Sequence, residues 1–89
     1  MLDLSKYNLT EREMLFLEDL RIDLEDSQMP VVLKCGNYSF LIEPGNGGAE
    51  VWRFGALIEQ FKSIDDLFLN FLIDGKPFIE RIAELEYDD

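Results

Sequence analysis

The chain has 89 residues, 47% of them hydrophobic and 12% aromatic, with 19 acidic against 8 basic side chains and a formal net charge of −11. That length supports one core, burying roughly 60 to 65% of the surface the unfolded chain exposes, and the apolar content is too high for a disordered chain. A field of this sign repels nucleic acid and anionic lipid, while the lack of histidine and the single cysteine exclude the commonest general base, a standard zinc site and an internal disulfide.

The whole of 1–89 therefore reads as a single domain. No apolar run reaches the ~18 residues that cross a bilayer, and residues 1–10 lack the charged and long apolar regions of a secretion signal. The expectation is a soluble, cytoplasmic protein. Its charge is uneven: residues 11–26 hold seven acids and two bases, residues 80–89 five acids and one base, and residues 27–79 six acids and four bases.

Residues 1–9 are a short lead with Leu2, Leu4, Tyr7 and Leu9 available to pack. Thr-Glu-Arg-Glu from Thr10 then has capping-box spacing, so a helix is expected from Glu11. Met14, Phe16, Leu17, Leu20 and Leu24 share one arc of about 160°, the width of a helix lying on a sheet. Leu15 and Ile22 fall outside it. The helix is read as running to about Asp26, with the alternation over 20–24 leaving an extended segment as the other reading.

After a polar link ending at Pro30, two β-branched and aromatic runs flank Gly36-Asn37, which reads as a hairpin. That turn sets Val31 opposite Ile42, Leu33 opposite Phe40 and Cys35 opposite Tyr38 on one face. For the next pairing, a tight Asn46-Gly47 turn would split the aromatic residues and oppose Glu43 to Glu50. The expectation is instead a five-residue loop or bulge over 45–49, with Ile42 opposite Trp52 and Phe40 opposite Phe54 in the core.

Residues 55–62 fit either helical spacing or an irregular crossover. Ser63 before Ile-Asp-Asp is a second N-cap, predicting a helix over 64–73. Gly75 then suits a left-handed helix end, and Pro77 the first position of a last helix over 77–85. Phe78, Ile82 and Leu85 form its inner line, and Glu80, Glu84 and Glu86 point outward. The fold expected is α+β, a three-stranded antiparallel meander with about three helices packed on one face.

Catalytic chemistry is weakly represented. Cys35 reads as a core residue, because Lys34 points to the opposite side of the strand. The loose G-x-G in 45–49 precedes a strand and lacks the helix start and lysine of a phosphate loop. Asp65-Asp66 and Glu84, Glu86 and Asp88 have no calcium-loop spacing. No cofactor and no enzymatic activity are expected.

Recognition by surface charge remains. Asp19, Asp23 and Asp26, at i, i+4 and i+7, fall on one helical face with Glu18 and Glu25 nearby, and are the candidate contacts for a basic protein partner. The order of acidic capped helix, hairpin with Phe40-Leu41-Ile42-Glu43, strand with Trp52-Arg53-Phe54, then Phe61-Lys-Ser-Ile-Asp-Asp-Leu-Phe and Ile73-Asp-Gly-Lys resembles small immunity proteins of bacterial polymorphic toxin systems. The resemblance spans roughly residues 30–80 and is one of pattern. It implies a cytoplasmic inhibitor of a cognate toxin domain and carries over no functional residue. Two other readings stand beside it: a phage-type DNA mimic that antagonises a host defence nuclease, and a homo-oligomeric structural or regulatory domain joined through Leu15, Ile22, Leu69 and Ile73.

Overall fold

A computed structural model describes residues 7–45 and 47–88. Helix α1 (Glu11–Arg21) opens on the expected capping box, with Thr10 Oγ1 accepting from the Glu13 N–H and Glu13 reaching back to the Thr10 N–H. It continues as a wider π turn (Ile22–Asp26), closed by the Ser27 N–H on the Ile22 carbonyl at 2.9 Å. Residues 20–26 are thus helical, and the extended reading falls away. Leu17, Leu20 and Leu24 are buried, as the apolar arc requires, while Met14 stays exposed.

Strands β1 (Val31–Cys35) and β2 (Tyr38–Ile42) pair in the expected register, Val31 with Ile42, Leu33 with Phe40 and Cys35 with Tyr38. Gly36 sits at φ +60°, the conformation that places glycine first in a two-residue hairpin turn. Strand β3 (Ala49–Arg53) does not follow the expected register. Phe40 lies opposite Val51, Ile42 opposite Ala49 and Ser39 opposite Trp52. Ala49 and Val51 therefore face the core, Trp52 is on the outer face beside Glu50, and Phe54 is exposed.

The reason is spatial. Helix α2 (Ile64–Asn70), its C-cap Phe71 and a 3-10 segment (Phe78–Glu84) bring Phe68, Phe71 and Phe78 over the sheet. Phe40 already meets Phe78 and Phe71 edge to face, at ring separations of 4.8 and 5.8 Å. Only small and β-branched β3 side chains fit beneath that cluster. The link between β2 and β3 occupies residues 43–48 and is closed by the Glu43 N–H on the Gly48 carbonyl at 3.0 Å.

The ambiguous 55–62 stretch contains strand β4 (Ala56–Phe61), joined to β3 through Phe54 and Gly55, both at positive φ. A bulge interrupts this pair, because Val51 opposes Glu59 and Trp52 opposes Leu57, leaving Ile58 between them. α2 starts at the Ser63 cap as expected but ends at Asn70 rather than running to 73. Asp74 and Gly75, again both at positive φ, turn β5 (Leu72–Ile73) back onto β6 (Lys76–Pro77) in a small second sheet. A left-handed glycine suits a helix end and a primed hairpin turn alike, and here the hairpin forms.

The last helix is of 3-10 type, kinked at Arg81, and it buries Phe78, Ile79 and Ile82. Strand β7 (Glu86–Tyr87) then pairs antiparallel with β1, Leu33 opposite Tyr87. The fold is α+β, but the sheet is five-stranded in the order β4-β3-β2-β1-β7, not three-stranded. Its inner face and the helices enclose the core, onto which Tyr7 and Leu9 of the lead pack partially. Leu2 and Leu4 lie outside the described residues. Among those residues no helix is long and apolar enough to cross a membrane.

Candidate functional site

The five acids expected to meet a partner all lie on α1 and its π turn, yet they do not form one face. Arg21 divides them. Its guanidinium contacts Glu18 at 2.6 Å, Glu25 at 3.5 Å and Asp26 at 4.0 Å, so three of the five carboxylates surround a cation on their own helix. Glu18 and Arg21 are mutually tuned. The Arg21 hydrogen bond lowers the Glu18 pKa, and the same bond raises that of Arg21. A π turn carries more residues per turn than an α-helix, so the i, i+4, i+7 alignment of Asp19, Asp23 and Asp26 is lost at its end.

Asp19 and Asp23 make no ion pair among the described residues and project their field elsewhere, onto Tyr87 of β7. Burial pushes the Tyr87 phenol up to about 12, with the charges of Asp23 and then Asp19 adding to the effect. The Tyr87 hydroxyl is buried without a hydrogen-bond partner among the described residues. Its ring packs on Phe16 of α1 at 5.4 Å, which fixes α1 at the β7 end of the sheet. Glu86, opposite Lys34 in the β1–β7 pairing, and Asp88 belong to the same end, so net negative charge gathers along one edge of the sheet.

Elsewhere the ionisable groups have structural duties. Cys35 is buried, and burial first, then the Glu84 carboxylate, raise its thiol pKa against the opposing charge of Arg81. That is the environment of an inert thiol. Arg81 contacts Glu84 directly and lies 3.9 Å from Asp74. Asp66 accepts from the Asn70 side chain while its own N–H is capped by Ser63. Among the described residues no group of three or more histidine, cysteine, aspartate or glutamate side chains is placed to hold a metal ion.

Of the four residues expected to join two copies, Ile73 is 2% exposed and belongs to the core, which removes it from any contact. Leu15, Ile22 and Leu69 are exposed but divided between α1, the π turn and α2. The larger open feature was not read from the sequence. The β3–β4 hairpin carries Phe54, Leu57 and Ile58 on its surface, with Arg53 seated over the Tyr38 and Phe54 rings at 5.0 and 5.3 Å. The sequence signal for it was Gly55 between Trp52-Arg53 and Ala56-Leu57-Ile58, a glycine turn between two apolar runs. No protein-family model, curated protein or solved structure matches this chain.

Proposed function

We propose that this is a non-enzymatic protein-binding domain that captures a basic partner, most simply as an immunity-type inhibitor of a toxin domain. The observation that carries the reading is the negative edge built by α1 and β7, in which Asp19 and Asp23 make no ion pair among the described residues. Carboxylates left unpaired in the free protein lose no internal partner when they bind one, whereas Glu18, Glu25 and Asp26 must first compete with Arg21. The contact therefore centres on Asp19 and Asp23, with the three Arg21-linked acids at its rim.

The DNA-mimic alternative uses the same charges, but its strength would lie in a regular, phosphate-like row of acids. The π turn and Arg21 break that row on α1, which favours the inhibitor reading. The test is to isolate the partner by crosslinking in the host, purify it and titrate it. A basic polypeptide is expected, bound in a complex that weakens with salt and loses at least tenfold affinity in Asp19→Lys with Asp23→Lys, about 1.4 kcal/mol. An affinity indifferent to both reversals and to salt would refute the reading.

A further inference from the structure

The fold leaves one strand edge open beneath exposed apolar side chains. β4 pairs with β3 on one side and, among the described residues, with no strand on the other. Such an edge presents unpaired backbone groups to any chain that can add a strand. Beside it Phe54 is 77% exposed, Leu57 43% and Ile58 50%. Phe54 is held there at φ +52°, a conformation unfavourable for a bulky L-residue.

Charge decides what covers this edge. Residues 51–62 carry Arg53 and Lys62 against Glu59, and Glu50 of β3 reaches Gln60 at 3.3 Å, so this edge is close to neutral within a chain of −11. β7 and the Phe16 part of α1 sit at the far end of the five-stranded sheet, four strand spacings or about 19 Å away; the π turn lies nearer, its Leu24 carbonyl accepting from the Gly45 N–H of the β2–β3 link at 3.2 Å. The distance to β7 is about twice the ~8 Å screening length of physiological salt. A basic protein drawn to α1 gains nothing electrostatically by settling on β4. Two copies of this chain repel one another least when they meet there, because their negative edges are then farthest apart.

The bulge supplies self-complementarity. In a regular strand, residues three apart face opposite sides. In β4, Leu57 and Gln60 share the outer side because they oppose Trp52 and Glu50, and Ala56 and Phe61 share the inner side because they oppose Arg53 and Ala49. A two-fold axis between Ile58 and Glu59 would set Leu57 against Gln60 and Ala56 against Phe61 of the second copy, each pair on its proper side. From this juxtaposition we infer that the protein forms a two-fold symmetric dimer by antiparallel pairing of β4 with β4 of a second copy, with Phe54, Leu57 and Ile58 along the seam. Such an isologous contact closes on itself and continues one sheet through both copies. It is independent of the basic-partner reading and leaves α1 free.

Sedimentation equilibrium over a concentration series tests it. The expected result is reversible association to twice the 10.4 kDa chain mass. Association should tighten with salt, as repulsion between like-charged copies is screened, which is the opposite of a complex with a basic protein. Leu57→Lys and Ile58→Lys change exposed side chains and should each weaken association at least tenfold with far-ultraviolet circular dichroism unchanged. In the unmodified protein, amide exchange in β4 should slow with concentration while β1 and β2 stay constant. A strict monomer at about 1 mM, a dimer unaffected by both lysines, or β4 exchange independent of concentration in an associating sample would each overturn the proposal.

Discussion

Replacing Gly48 by alanine tests the β2–β3 register where the structure makes it most demanding. Gly48 sits at φ +94°, and a Cβ built there would lie 2.7 Å from the backbone carbonyl oxygen of Phe61. The left-handed conformation alone costs an L-residue about 1 to 2 kcal/mol. The contact is with backbone at the end of β4, and it yields only if the adjoining Ala49–Phe61 pairing shifts, a loss of about 1 kcal/mol per hydrogen bond. Gly48→Ala should therefore destabilise by about 2 to 3 kcal/mol. At 89 residues the total stability is of the order of 4 to 13 kcal/mol, so the loss is a large fraction of it. Gly36→Ala is the matched control: it also has positive φ, at +60°, but no atom stands within 4 Å of its Cβ, and the left-handed cost alone, about 1 to 2 kcal/mol, is expected. Urea titration of both variants measures the difference of about 1 kcal/mol, and thermal melts should separate their midpoints by roughly 4 to 8 °C. Equal destabilisation of the two variants would mean that Gly48 does not approach β4 as described.

Tyr87→Phe removes a buried hydroxyl that lacks a partner among the described residues and should stabilise the protein by about 1 kcal/mol in urea titration. The same variant has a pH signature. Because the folded Tyr87 pKa stands at about 12 against an ordinary 10, the folded state holds its proton longer than the unfolded one. The stability linked to Tyr87 is thus complete below pH 10 and is lost as pH rises from 10 through about 12. Melts in that window should show a smaller decline for Tyr87→Phe than for the unmodified chain, and parallel declines would refute the burial of this phenol. Thr10→Ala and Ser63→Ala each delete an N-cap, with N–H to Oγ distances of 3.2 and 3.1 Å, and should each cost about 1 kcal/mol by chemical denaturation.

What could be read from the sequence was whatever local chemistry alone decides. The two caps needed only Thr10, Glu13 and Ser63, and the first hairpin needed only Gly36 between β-branched runs. The β2–β3 register escaped because it is set from outside the strands. Assigning Trp52 and Phe54 to the core assumed that the strands must supply its bulk, whereas Phe68, Phe71 and Phe78 supply it from above. β4 was obscured by a turn that places a phenylalanine, not a glycine or asparagine, at positive φ. Asp74-Gly75 was recognised as a break, but an apolar run through Phe71-Leu72-Ile73 hid the switch from helix to hairpin. At the acidic site the residues were legible and their grouping was not. Arg21 stands three and four positions from Glu18 and Glu25, a spacing that marks ion pairs on a helix, while the π turn that displaces Asp26 has no sequence signal.

The pairing of Tyr87 with Leu33 spans more than half the chain, and it orders events during synthesis. The four strands from 31 to 61 are joined by short connections and can assemble as soon as they leave the ribosome. The border of β1 at Val32, Leu33 and Lys34 remains bare until residues 86–88 emerge to cover it. During that interval the nascent polypeptide displays an aliphatic ribbon suited to capturing a neighbouring chain on the same polysome. Deleting Glu86 and Tyr87 would make that interval permanent, leaving this part of β1 open to a second chain and freeing Phe16 of α1 from the ring it packs on.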